Sequence, residues 1–265
     1  MRKPQISGLS ERDNMDDFEL ANQPETPIKS KTAQSVMNEL DALSNPEIAT
    51  HSMRFFKTGT GEYGEGDTFV GVRVPMQRNI AKRYTCLVLS EIDTLLSSPV
   101  HEHRLTGLLI LVQQYTKSKE KSVRHEIVNF YLSRLENINN WDLVDLSAPK
   151  ILGQHLLHNF QERSMLPKMA QSSLLWERRV AVLATLPLIK QGQFDEIRAL
   201  AVALLGDSHD LMHKSIGWML RELGKVDVEV LESFLNKYAK TMPRTMLRYA
   251  IERLEPDRRQ HYMKR

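Results

Sequence analysis

The chain has a single cysteine, Cys86, among its 265 residues. That excludes an internal disulfide framework and any cysteine-rich zinc centre. Long apolar runs are missing too. The longest, residues 105–112 (LTGLLILV), falls far short of the roughly 20 residues that span a bilayer, so no membrane partner is expected. The opening stretch MRKPQISGLSERDNMDDFEL lacks the apolar centre of a secretion signal, which points to a cytoplasmic protein. Charge of one sign is scarce: the net +3 permits a basic groove but does not demand one.

What is present is helix. With 41% hydrophobic residues the chain can bury one large core. Residues 1–30 carry few bulky apolar side chains and read as a disordered leader. Residues 31–265 read as one helical domain. The segments SPVHEHRLTGLLILVQQY, SVRHEIVNFYLSRL, SLLWERRVAVLATLPLI, DLMHKSIGWMLREL and VEVLESFLNKYAK all place apolar residues at three-to-four spacing. No stretch alternates with period two, so no sheet is expected. Asn45-Pro46 and Pro75 mark helix starts. Gly206-Asp207-Ser208 and Gly224-Lys225 read as helix ends, and Pro187 should kink or shorten its helix.

Helices that begin near Arg104, Trp141, Arg178, Lys214 and Arg244 recur every 30 to 37 residues or so, with one other helix between each pair. Such a period predicts an all-α solenoid of HEAT-like antiparallel helix pairs, in which every second helix lines one concave face. Trp141 and Asp145, four apart, share one helix face. Arg178 and Arg179 fall on the next inner helix and diverge by roughly 100°, so one can face the groove and the other away. Trp218 and Arg221 fall on the rung after. Leu or Val would serve a core equally well, yet a tryptophan at this spacing is as readily a core residue as a functional one. Trp176 has no counterpart and reads as packing.

Other motifs carry less. GTGEYG (59–64) formally matches GxGxxG, but no strand precedes it and no Lys-Ser/Thr follows. Its acidic neighbours Glu62 and Glu65 would repel phosphate, and it reads as a mobile loop. The pairs His209/His213 and His155/His158 show no third ligand, and HEHR at His101 lacks the HExxH spacing. No metal and no cofactor are expected.

Several blocks, NPEIA with RFFK (45–57), VGVRVPMQRNIAK (70–82), NNWDLVDLSAPKILG (139–153), LLWERRVAVL (174–183) and KSIGWMLREL (214–223), resemble the AlkD family of DNA alkylation repair proteins. These are HEAT-like helical repeat DNA glycosylases. The resemblance implies a concave DNA-binding face and hydrolysis of the N-glycosidic bond of positively charged N3- and N7-alkylated purines. It implies a monomer working on double-stranded DNA that contains alkylated bases, without a base-binding pocket. By matching motif, the family's functional residues fall on Trp141, Asp145, Arg179 and Trp218. Asp145 is the implied catalytic carboxylate, and Arg179 is expected to clamp a backbone phosphate. Lys214, Arg221, Arg244 and Arg248 are expected to supply further phosphate contacts. Phe55 stands where the best-studied branch has tyrosine, and the loop TGTGEYGEGD is longer than in that branch and resembles a second one. The rival from another class is a helical-repeat DNA-binding or scaffold protein without catalysis.

Overall fold

A computed structural model describes residues 31–264, and the leader expected over residues 1–30 lies outside them. The described chain is all-α. Among the described residues there is no strand, only an isolated parallel bridge between Thr68 and Val100. No helix among them is long and apolar enough to cross a membrane.

In chain order the helices are α1 (Ala33–Asp41), α2 (Pro46–Phe55), α3 (Val74–Arg83), α4 (Leu89–Leu96), α5 (His101–Lys117), α6 (Lys121–Leu132), α7 (Trp141–Ser147) and α8 (Gln154–His158). There follow α9 (Met165–Met169), α10 (Leu175–Leu183), α11 (Leu186–Lys190), α12 (Asp195–Ala203), α13 (Asp210–Val226), α14 (Val228–Tyr238), α15 (Arg244–Ala250) and α16 (Pro256–Met263). Local chemistry sets many of the starts. Asn45 accepts from the Ile48 amide at 3.0 Å with Pro46 in the first turn, and Asp227 accepts from Val230 at 3.0 Å. Each side chain satisfies an amide that a helix start leaves unpaired, worth about 1 kcal/mol.

Packing follows a ladder. α3, α5, α7, α10, α13 and α15 each touch the next, while α4, α6 and α14 pack against α5 and α13 as second members of pairs. α13 shows why the ladder holds. Met212, Ile216, Met219, Leu220 and Leu223 form its buried stripe, spaced for one helical face. Gly217 lies in that stripe because a Cβ there would stand 2.5 Å from the Met246 carbonyl oxygen of α15. The missing side chain lets α15 close in and leaves Trp218, its neighbour, partly exposed on the flank.

Two helix-end expectations resolve differently. Pro187 does break its helix: α10 stops at Leu183 and α11 restarts with the proline in its first turn. Gly224 ends nothing. It lies inside α13, where a Cβ would meet Leu231 Cδ2 at 2.4 Å, so the glycine serves close packing of α14. Pro149 leaves another mark. It has no N–H to return to the Asp145 carbonyl, and the chain widens into a π-helical turn over Pro149–Gly153, with Gly153 N bonded to Ala148 O at 2.8 Å.

Candidate functional site

Asn140 caps α7, accepting from the Trp141 amide at 2.8 Å. This fixes the first turn, which carries Trp141, and Asp145 follows one turn later, just before the π turn. Arg179 on α10 meets Asp145 with two parallel bonds, Nε to Oδ1 at 2.9 Å and Nη2 to Oδ2 at 2.8 Å. Its third nitrogen, Nη1, donates to the Leu211 carbonyl in the first turn of α13 at 2.6 Å. One guanidinium thus joins three rungs. The Arg179 side chain is only 5% exposed, whereas that of Asp145 is 18% exposed.

This placement gives the residue expected to clamp a phosphate partners within the protein. Each of the three nitrogens of Arg179 makes one hydrogen bond within the protein, and two of these go to Asp145. The geometry makes Arg179 the residue that orients the carboxylate. Burial raises the Asp145 pKa above the ordinary carboxylate value; Arg179 pulls it back through charge and hydrogen bonds, and the like charge of Asp142 adds to the rise. A carboxylate so placed has more proton affinity than a surface acid.

Around Trp141 stands an aromatic wall. Phe56 stacks on it at 5.4 Å between ring centroids, and Phe55 meets it edge-on at 5.9 Å. Phe55 is 58% exposed, unusual for so large an apolar side chain. Behind the wall, His101 is stacked on Phe69 at 4.7 Å and tilted against Phe56 at 4.9 Å. Its Nε2 lies 2.8 Å from Asp142 and its Nδ1 3.3 Å from Asp67. Burial alone would deprotonate this ring, but the two carboxylates more than offset it and push its pKa up to about 9. Asp67 also accepts from Arg104 at 2.6 Å and from Asn140 at 3.3 Å. The α7 cap is therefore tied to α5 and to the end of the glycine-rich loop.

That loop is tethered, contrary to its reading as a mobile segment. Glu62 and Glu65 accept from the Gly59 and Gly61 amides at 2.9 and 2.8 Å, and Gly64 donates to the Lys57 carbonyl at 3.1 Å. A Cβ at Gly64 would stand 2.5 Å from the Phe56 oxygen, so the loop lies directly on the aromatic wall. Farther on, buried Glu102 collects the amides of Val70, Gly71 and Val72 at 3.2, 2.8 and 3.3 Å. The loop brings in Tyr63, whose hydroxyl lies close to the Trp141 indole and feels the charge of Lys214. Its ring meets Trp176 edge-on at 6.1 Å. A hydroxyl therefore stands beside Trp141 even though position 55 is phenylalanine.

The remaining residues singled out from sequence separate into two groups. Trp218 is partly buried and donates from its indole to Glu222 at 3.1 Å. Lys214, one turn before it, pairs with Asp210 at 2.7 Å, and Arg221 pairs with Glu252. These two cations are already neutralised. Arg244 is exposed and donates to the Met263 carbonyl at 3.2 Å, and Arg248 is exposed. Arg178 turns away from Asp145 and pairs with Asp207 at 2.8 Å while its Nη1 holds the Ser172 and Ser173 carbonyls. Among the described residues no group of three potential metal ligands includes Asp145.

Sequence reasoning missed Tyr63, His101 and Asp67. For Asp67 and His101 the partners are far apart in the chain, and only the fold reveals them. For Tyr63 one signal existed: an aromatic residue amid glycines and acids in a loop longer than its surroundings need.

The fold has counterparts. A sequence profile described as DNA alkylation repair enzyme matches residues 36–254. A solved structure titled as a predicted DNA alkylation repair enzyme from Enterococcus faecalis is similar with a TM-score of 0.65 at 18% identity, over 80% of this chain and 97% of that one. The structure of smu.31 from Streptococcus mutans UA159 is similar with a TM-score of 0.50 at 17% identity, over 85% of this chain and 100% of that one. No curated protein matches. At such identities the solved structures speak for the fold alone; the profile covers most of the chain, and the chain belongs to the DNA alkylation repair enzyme family.

Proposed function

We propose that this protein is a monofunctional DNA glycosylase of the AlkD kind, which hydrolyses the N-glycosidic bond of N3- and N7-alkylated purines in double-stranded DNA. The observation that carries the reading is Asp145: a carboxylate held by two bonds from a buried arginine, part-open to solvent and one helical turn from an aromatic wall. An N-alkylated purine is already cationic and leaves without protonation, so no general acid is needed. The sugar left behind develops oxocarbenium character. A fixed carboxylate stabilises that charge, and its raised pKa suits it to take a proton from the attacking water.

Trp141, Phe55 and Trp218 offer π faces to the cationic nucleotide, each contact worth about 0.5–2 kcal/mol. Backbone affinity rests on exposed cations such as Arg244 and Arg248 and falls with salt. Strand cleavage through a Schiff base is not expected. Lys214, the lysine beside the Tyr63 loop, donates to the Asp210 carboxylate, a bond that raises its pKa and leaves it protonated and non-nucleophilic. In this reading the solenoid is HEAT-like and monomeric, and it works in the cytoplasm on nucleoid DNA.

The test is release of free 7-methylguanine or 3-methyladenine from methylated duplex DNA by the purified protein. Release without strand nicking is the expected result. Tight, salt-sensitive binding with no released base would make the protein a non-catalytic DNA-binding solenoid.

A further inference from the structure

Away from Asp145, α6, α8 and the 3₁₀ turn Phe160–Ser164 bring together His125, His155 and Glu162, one ligand atom from each lying within 4.8 Å of the others. His155 is buried, and its Nε2 stands 2.9 Å from Glu162 Oε2. The His125 and His155 rings are 5.7 Å apart between centroids. Asn159 braces His155 from behind, donating to its carbonyl at 2.8 Å and lying 3.3 Å from Nδ1. The group opens on a cleft of about 760 Å³ that His158 also lines. The arginine beside it points its charge elsewhere: Arg124 bonds the Ser118 carbonyl at 2.9 Å and lies over the Tyr115 ring at 5.4 Å.

We propose that His125, His155 and Glu162 form a binding site for a divalent transition-metal ion. Two imidazoles and one carboxylate suit Zn²⁺, Ni²⁺, Co²⁺ or Fe²⁺ and not the oxygen-seeking Mg²⁺ or Ca²⁺. Metal–nitrogen and metal–oxygen bonds of about 2.0–2.2 Å put ligand atoms roughly 3–4 Å apart. The His155–Glu162 pair is near that spacing already, and exposed His125 has room to swing in. With the ion at Nε2, a neutral His155 carries its proton on Nδ1, and the Asn159 bond to the His155 carbonyl keeps the helix end in place. The ion would clip α6 to the turn after α8, and His158 or water would complete its coordination. This site is independent of the glycosylase reading.

The pair HLLH looks bare in sequence because the ligand set crosses elements. His155 finds Glu162 after a helix end and His125 across a helix pair.

The experiment uses the full chain, stripped with chelator and dialysed. Titration with Co²⁺ should give one bound equivalent with visible d–d absorption, and Zn²⁺ should displace it and raise the Tm. His125→Ala and Glu162→Gln should each lower Co²⁺ affinity at least tenfold and abolish the Tm rise. Both should keep the helical circular dichroism of the wild type, since neither residue is buried. Absence of bound Co²⁺, or affinity unchanged in both variants, overturns the site; the latter would place the ion elsewhere, for instance at His209 and His213. Stabilisation by inorganic phosphate and not by Zn²⁺ would also overturn it, making the cleft an anion site that uses Lys121.

Discussion

Asp67 and Asp145 both sit beneath the surface and both accept from an arginine, Arg104 in one case and Arg179 in the other. Burial pushes each pKa upward. At Asp67 the hydrogen bond from His101, the charge of Arg104 and the amide of Asn140 outweigh it, and the pKa ends below its ordinary value. At Asp145 Arg179 stands alone against burial and the nearby Asp142, and the pKa ends above. Their exposure differs in the same sense, 3% for the Asp67 side chain and 18% for Asp145. A buried carboxylate shared among three donors holds structure. One with a single partner and an open side keeps the capacity to act on something else.

Breaking the satisfied member should have the largest effect, and on stability. Asp67→Ala leaves Arg104 and His101 buried without their shared partner. We expect a loss of about 3–5 kcal/mol in urea unfolding, the usual consequence of breaking a buried pair. The same network predicts an alkaline weakness. The folded pKa of His101 is about 9 against 6.5 for the free side chain. Its stabilising contribution is therefore complete below pH 6.5 and lost as pH rises through 9. A wild-type stability flat from pH 6 to 10 would show that the ring is neutral.

Breaking the poised member should strike the reaction instead. Asp145→Asn keeps one acceptor for Arg179 and removes the charge that the transition state needs. Base release per folded molecule should fall about 10²–10³-fold, on the order of 3–4 kcal/mol. Some stability should go as well, because Arg179 loses its counter-ion. Release at the wild-type rate would make Asp145 a purely structural partner of Arg179.

The pH profile sharpens the contrast. Chemistry needs Asp145 ionised, so activity should fall as pH drops through its raised pKa, at a pH above the ordinary aspartate value of about 3.9. Asp142→Asn removes a like charge and should move this acid limb to lower pH. A limb that moves upward, or does not move, would assign the ionisation to another group.

The two arginine roles can be separated by salt. Arg248 is exposed, and Arg248→Ala should reduce the slope of log affinity against log salt by nearly one. Arg179→Ala should lower the rate and leave that slope unchanged, because its guanidinium already has a counter-ion. A reduced slope in the Arg179 variant would restore it as a phosphate contact.

Much of this was visible in the amino-acid order, for reasons that differ by element. The apolar stripe of α13 repeats at the helical period, so its face, and with it Trp218, was legible. Trp141 and Asp145 were legible as a pair because an i,i+4 spacing acts within one helix. The pairing of Asp145 with Arg179 was not, since it spans 34 residues between rungs. His101 and Asp142 are 41 residues apart. Gly224 was misjudged because a glycine that ends a helix and one that admits a neighbour look identical until the neighbour is seen. The glycine-rich loop seemed slack for a similar reason: its restraints are backbone bonds to Glu62, Glu65 and Lys57, which no composition reveals.

The smallest effect is expected at the tip of that loop. Tyr63→Phe keeps the ring against Trp176 and removes only the hydroxyl beside the Trp141 indole. The loss of such a polar contact is worth no more than one net hydrogen bond, about 0.5–1.5 kcal/mol, so base release should slow by about two- to tenfold while the Tm barely moves. The loss should be similar for small and bulky lesions, because the hydroxyl steadies Trp141 and reads nothing on the base. Tyr63→Ala should cost more, since the ring that braces Trp141 and Trp176 goes with it. The comparison of the two aspartates makes this ordering informative. If Asp145 alone is poised for chemistry, no substitution in the loop can approach the effect of Asp145→Asn. A Tyr63→Phe variant as slow as Asp145→Asn would mean that the phenol takes part in the proton transfer, and the carboxylate would no longer stand alone at the centre of the reaction.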